Sequence, residues 1–234
     1  MDITIYTIAW NERLLLPFFH QFYSERFPTA KFVIYDNEST DGTPKLAKEL
    51  GMEVRSYSTD NKLSDAKYLE IKNNCWKESK GWVIVCDTDE WLDINEKALK
   101  LYAGQGGNIF QAIGYNMCNV QGTQNLLSID CGIRASNYDK VILFYAGQLQ
   151  EINYYPGCHQ CNPKGNLSPS FFRPTLLHMK FINEQYMVDR YKQFSERLSE
   201  ENRSNGWGFH YDFPEEKLRL DYQNHIQAAK KINI

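Results

Sequence analysis

No run of apolar residues in this 234-residue chain approaches the roughly 18 that a membrane span needs. The N-terminus opens directly into a strand pattern, with no basic and then apolar leader. A membrane segment and a signal peptide are therefore not expected, and the expected location is the cytoplasm. Basic charge is not in excess either. Lys and Arg number 26 against 29 Asp and Glu, a net charge of -3, so the electrostatic footprint of a nucleic-acid binder is missing. Cysteine is sparse and scattered. Of six residues only Cys158 and Cys161 form a C-x-x-C pair; a structural zinc site normally needs a second pair, and His159 between them could make up a ligand set only with help from elsewhere. Reduced thiols are the expectation, and the sequons at Asn37, Asn166 and Asn202 then carry no meaning. No P-loop signature, internal repeat, low-complexity tract or linker is present.

What the chain does have is apolar mass and aromatics. Hydrophobic residues make up 42% and charged ones 24%, with 15 Tyr, 13 Phe and 5 Trp, enough for one large core and for stacking platforms that suit bases or sugars. The most informative stretch runs from Trp82 to Asp93. Val83, Ile84, Val85 and Cys86 read as a buried, parallel strand, which ends abruptly in Asp87, Thr88, Asp89 and Glu90. Carboxylates crowded at a strand end repel one another and weaken folding unless a cation or specific donors offset them. Oxygen ligands of this kind suit Mg²⁺ or Mn²⁺ shared with substrate phosphates. In open α/β sheets, ligands bind outside the carboxyl ends of the strands, where these acids lie. Asp93 is read as the cap of a helix from Ile94 to about Tyr102.

Strand and helix alternate four times in the first half. Residues 2–9 alternate as a strand, and Leu15, Phe18, Phe19, Phe22 and Tyr23 recur at helical spacing, Pro17 implying a start near Leu15 or a kink. A second strand, Lys31 to Tyr35, leads to a helix with Thr43 as N-cap, Pro44 at N1 and Gly51 just past the end. Met52 to Tyr57 is a third strand and Ser64 to Ser79 a helix. The alternation predicts a parallel sheet with right-handed crossovers. Beyond Tyr102 the expected strands are Asn108 to Tyr115, Lys140 to Tyr145 and Thr175 to Ile182. The stretch from Tyr154 to Ser170 reads as loop, and two helices close the chain, the second after Pro214.

Three segments, I-Y-T-I-A-W-N-E at 5–12, Y-D-N-E-S-T-D-G-T at 35–43 and V-C-D-T-D-E-W-L at 85–92, resemble the nucleotide-binding half of GT-A-fold glycosyltransferases, specifically the family-two-like group with a D-x-D-E motif. Their order and spacing agree over about the first 115 residues; Y-Y-P-G-C-H-Q-C-N-P at 154–163 and L-L-H-M-K at 176–180 are less specific matches. The resemblance implies a Rossmann-like α/β domain over 1–234 with a mostly parallel central sheet flanked by helices. Residues 1–115 would bind the nucleotide sugar, and a mixed half, 116–234, would bind the acceptor. It further implies a metal-dependent transfer, more in keeping with inversion than retention, from a nucleotide-diphosphate sugar (a UDP-sugar favoured) to a hydroxyl of a glycan or other acceptor. Carried over by position, Trp10, Asn11 and Glu12 would line the nucleoside pocket and Asp36 would meet base or ribose. Lys72, Asn73 and Thr88 would lie on the nucleotide side, Asp87 would approach ribose or metal, and Asp89 would bind Mn²⁺ or Mg²⁺. The second motif departs from the family's usual acidic pair, having Asn37 after Asp36.

His178, between apolar neighbours on a late strand, is a candidate third metal ligand, with a hydrogen-bonded core histidine as the alternative. His159 lies in a Pro/Gly-flanked loop that could reach the site. An inverting transferase needs a general base near the acceptor hydroxyl; Asp130, Glu151 and His159 are the candidates, and the aromatic pair Tyr154 and Tyr155 is placed to cover a sugar face. A haloacid-dehalogenase-type phosphatase also puts D-x-D after an apolar strand, with the first Asp as nucleophile. There the motif sits on the first strand and a later acidic pair holds Mg²⁺, whereas here it is on the fourth and no such pair follows. A sugar-1-phosphate nucleotidyltransferase would have a Gly-rich basic loop where residues 9–16 stand. A non-catalytic nucleotide- or sugar-binding module is the other alternative.

Overall fold

The computed structural model describes residues 1–232. In chain order the elements are β1 (Ile3–Ala9), α1 (Leu16–Arg26), β2 (Lys31–Asp36), α2 (Thr43–Glu49), β3 (Glu53–Ser56), α3 (Asp65–Asn74), β4 (Trp82–Asp87) and β5 (Glu90–Asp93). They continue as α4 (Glu96–Gly104), β6 (Ile109–Gln111), β7 (Ile113–Cys118), β8 (Cys131–Arg134), β9 (Val141–Tyr145), β10 (Leu149–Glu151) and β11 (Lys164–Gly165). The chain closes with β12 (Thr175–Phe181), α5 (Glu184–Arg197), α6 (Glu200–Ser204), α7 (Glu215–Ala228) and β13 (Lys230–Lys231).

The larger sheet has the order β3-β2-β1-β4-β9-β6. Its first four strands are parallel, as alternation with helices requires, while β9 runs antiparallel to both neighbours, β4 and β6. Strands β1 and β4 are buried on both faces. Ile3, Ile5, Trp82, Ile84 and Cys86 pack into a core with α1 and the second sheet. Tyr6, Ile8, Val83 and Val85 pack with Ile71, Cys75 and Trp76 on the α3 side. The second sheet, β13-β8-β7-β12-β5, shares the first of these cores through Trp91, Leu92, Met117, Leu176 and Leu177. Among the described residues no helix is long and apolar enough to cross a membrane.

Several elements differ from the sequence expectation, each for a local reason. Residues 90–93 are a strand, β5, and the following helix is capped by Asn95, whose side chain accepts from Ala98 N at 2.9 Å; Asp93 instead binds Arg26 at 2.7 Å. Thr43 is the first residue of α2, with Gly42 at φ 91° as its cap. The Thr43 hydroxyl is engaged elsewhere, accepting from Glu12 N at 2.9 Å and donating to Asp41 at 2.6 Å. Helix α3 stops at Asn74, short of Ser79, and the span 108–115 is broken at Ala112 into two strands that join different sheets. Tyr154 and Tyr155 do not act as a pair. Tyr154 is buried with its hydroxyl on Val141 O at 2.8 Å, and only Tyr155 is exposed.

Candidate active site

The acidic stretch lies where the chain passes from one sheet to the other. Strand β4 delivers Asp87 to its carboxyl end beside β1, in register with Ile8. A two-residue turn follows, locked by Trp91 Nε1 donating to Thr88 O at 3.0 Å, and β5 then pairs with β12. Asp87, Asp89 and Glu90 each offer a carboxylate oxygen within 4.8 Å of the others, the group among the described residues best suited to a metal ion.

The offset that the crowded carboxylates require comes largely from buried cations. Lys72 on α3 grips both oxygens of Asp87, at 2.7 and 2.8 Å. Burial alone would push the Lys72 ammonium down, but Asp87, aided by Glu90, raises it well above the ordinary lysine range. Glu90 is paired with Lys140, both side chains almost wholly buried, and accepts from Asp87 N at 3.3 Å. Arg190 on α5 pairs with buried Glu12 at the end of β1. Burial pushes the Glu12 carboxyl up, and Arg190 opposes it.

His178 belongs to this cluster through sheet register: on β12 it stands opposite Glu90 on one side and Asn116 on the other. With Asn116 Oδ1 accepting at 2.7 Å, Nδ1 carries the proton, and Nε2 is turned to the Tyr138 hydroxyl at 3.2 Å and Asp89 Oδ2 at 3.4 Å. Tyr138 stacks on the imidazole with centroids 4.0 Å apart. This is possible because Gly114 has no side chain; a Cβ there would stand 2.3 Å from that of Tyr138. Burial pushes the Asp89 carboxyl up, but His178, Arg190 and Lys140 hold it well below the usual range. Asp89 Oδ2 and His178 Nε2, 3.4 Å apart, leave room between them for a proton on the imidazole or for a divalent cation. The carboxylates of Asp87, Asp89 and Glu90, with the His178 imidazole beside Asp89, are donors of the kind that suits Mn²⁺ or Mg²⁺.

The other residues singled out in the sequence divide. Asp36, at the end of β2, is buried; one oxygen accepts from Ser39 N at 3.1 Å and the other has no partner. Trp10 follows β1, next to β2, and its ring packs on Phe194 with centroids 6.4 Å apart. Asn11 straps the loop after β2, its Oδ1 accepting from Thr40 N at 2.8 Å and Asp41 N at 3.3 Å. Asn73 turns away to accept from Tyr154 N at 2.8 Å. Of the three candidate bases, only His159 is brought near the cluster, edge-on to Tyr138 at 5.0 Å. Burial, with Lys140 assisting, lowers its imidazole to about 4. Glu151 pairs with Lys77 at 2.9 Å. Asp130 pairs with Lys231 at 3.1 Å, by β13 at the sheet edge opposite β5. Lys140, Asn116, Tyr138, Arg190 and Arg197 join the site unannounced. The one available signal was the lysine opening the otherwise apolar strand Lys140 to Tyr145.

No protein-family model matches the chain, and no curated protein matches it. Among solved structures, similar folds include S. aureus TarS 1-349 in complex with UDP, 8% identical over 96% of this chain and 71% of that one, TM-score 0.48. A mannosyltransferase, PcManGT from Pyrobaculum calidifontis, in complex with GDP-Man and Mn2+, is 12% identical over 97% and 70%, TM-score 0.46. Against a longer S. aureus TarS chain the match is 11% identical, covers 50% of this chain and 22% of that one, and has a TM-score of 0.40.

Proposed function

We propose that this chain is a metal-dependent glycosyltransferase that moves a sugar from a nucleotide-diphosphate donor, UDP-linked in our reading, to an acceptor hydroxyl with inversion. The observation that carries the proposal is the clustering of Asp87, Asp89 and Glu90 at the carboxyl ends of the parallel strands, with His178 3.4 Å from Asp89. Asp36 and Trp10 lie along the same edge, where a nucleoside would extend from a metal-bound diphosphate. A divalent ion held by Asp87, Asp89 and His178 would stabilise the charge growing on the diphosphate as the glycosidic bond breaks.

The protein's own residues supply the rest. Asn116 orients the His178 ring, and Lys72 and Lys140 hold Asp87 and Glu90 in place. Asp36 takes a donor from the nucleoside. We assign the proton of the acceptor hydroxyl to His159, which is neutral across the physiological range and stands beside the Tyr138–His178 stack.

The test is thermal unfolding with UDP in the presence of Mn²⁺ or of EDTA, followed by a panel of nucleotide sugars assayed for slow hydrolysis. UDP is expected to raise the melting temperature only with metal, since a ligand stabilises the state it binds, and Asp89→Asn and His178→Ala should abolish that rise. Equal shifts in EDTA would sink the metal bridge. Metal-dependent binding without hydrolysis of any donor would favour a binding module.

A further inference from the structure

Arg197, the last residue of α5, is 4% exposed and has no carboxylate partner among the described residues. Its guanidinium lies over the Trp10 indole with Cζ 3.5 Å from the ring centroid. Nε donates to Asn61 O at 3.1 Å and Oδ1 at 3.2 Å, whereas neither Nη1 nor Nη2 has an acceptor. The groups facing it are Tyr68, Tyr57 and Arg190. Both phenols are raised by burial and hence neutral, and Arg190 is a like charge. A buried cation with no counter-charge and with both terminal nitrogens unpaired opposes folding. Burial, with Arg190 adding to it, pushes the Arg197 guanidinium below its ordinary range.

The backbone nevertheless holds this residue in place. Leu63 N donates to Arg197 O at 2.7 Å and Ser199 N to Leu63 O at 3.1 Å, docking the end of α5 on the loop after β3. Arg197 is thereby set against Trp10 at the end of β1. The unpaired polar atoms along this edge are of both kinds: Arg197 Nη1 and Nη2, the Tyr57 hydroxyl and an oxygen of Asp36. A pyrimidine base with two carbonyls flanking one N–H offers the complementary set.

We infer that Arg197 is a specificity-determining residue of the donor site, its guanidinium held on Trp10 and its two terminal nitrogens donating to oxygens of a uridine-type nucleoside. The inference rests on the proposed nucleotide-sugar reading. It assigns recognition of the nucleoside to α5, an element outside the first-half motifs, and leaves the diphosphate to the acidic cluster.

Calorimetry with UDP, ADP and inorganic pyrophosphate, each with Mn²⁺, separates the possibilities in the wild type, Arg197→Met and Arg197→Lys. Arg197→Met is expected to weaken UDP roughly tenfold or more, to leave pyrophosphate unchanged, to shrink the preference for UDP over ADP, and to raise the melting temperature of the ligand-free protein. Arg197→Lys keeps the charge without the fork and should fall between. Unchanged UDP affinity in Arg197→Met overturns the inference while the wild type's own UDP binding keeps the proposed function intact. Equal losses for UDP and pyrophosphate also overturn it, moving Arg197 to the diphosphate. A fall in melting temperature in both variants, with UDP loss matching the unfolded fraction, gives Arg197 a structural role and overturns it as well. A wild type that binds none of the three ligands removes the nucleotide reading and this inference with it.

Discussion

The two ends of the parallel strands' carboxyl edge treat buried polar groups in opposite ways. At the acidic end, Asp87 has Lys72, Glu90 has Lys140, Asp89 has His178, and nearby Glu12 has Arg190. At the other end an Asp36 oxygen, the Tyr57 hydroxyl and both Arg197 terminal nitrogens have no protein partner. Each unpartnered buried group costs about 1–3 kcal/mol, and the fold carries several of them side by side. The comparison teaches that the acidic end has its charges met largely by other side chains of the fold, while the far end leaves buried polar atoms that the described residues do not meet.

The sharpest way to break the comparison is to remove a cation from the satisfied end. Lys140→Met leaves Glu90 buried and unpaired, and the expected loss is on the order of 3–5 kcal/mol in denaturant unfolding. A loss below about 1 kcal/mol would mean that Glu90 is not held by Lys140 in solution.

A smaller effect comes with acid. His159 stands near 4 in the folded protein against 6.5 when free. Between those values the unfolded chain takes up a proton that the folded one refuses. Stability is therefore full above pH 6.5 and declines as pH falls towards 4, by about 2 kcal/mol once partial exposure of the ring is allowed for. His159→Gln should flatten this part of the pH–stability curve. An unchanged slope would place the acid sensitivity in other groups.

The smallest expected effect is a matched pair of hydroxyl deletions. Tyr154→Phe removes a made hydrogen bond to Val141 O and should destabilise by about 1 kcal/mol. Tyr57→Phe removes an unmade one and should be neutral or slightly stabilising without ligand. Equal costs would show that Tyr57 is partnered in solution and would erase the contrast between the two ends.

Much of the first half was legible in the sequence because its signals are local. Alternating β-branched runs, Pro44 and Gly51 around a helix, and carboxylates at the end of Val83–Cys86 each act within a few residues, and the first four strands form where those signals lie. The neighbourhood of the acidic cluster followed from the same rule, since a strand's end is fixed by its own composition. The cations were less accessible. Lys72 stood out as a candidate for the nucleotide, not as the grip on Asp87, because its partner lies 15 residues away across a helix–strand packing. Lys140 and Arg190 meet Glu90 and Glu12 across 50 and 178 residues.

Nor could local sequence say which strand lies next to which. The break at Ala112 and the transfer of residues 90–93 into the second sheet depend on β12 arriving between β5 and β7. That arrival sets His178 between Glu90 and Asn116, turning one histidine among five into a partner of Asp89. The sequence by itself determined the four parallel strands of the first half and the acidic end of the fourth, because period, propensity and charge are properties of neighbours along the chain. Only the tertiary structure decided which charges meet and which polar atoms are left unmet, because those depend on strand order and helix docking between segments far apart in the chain.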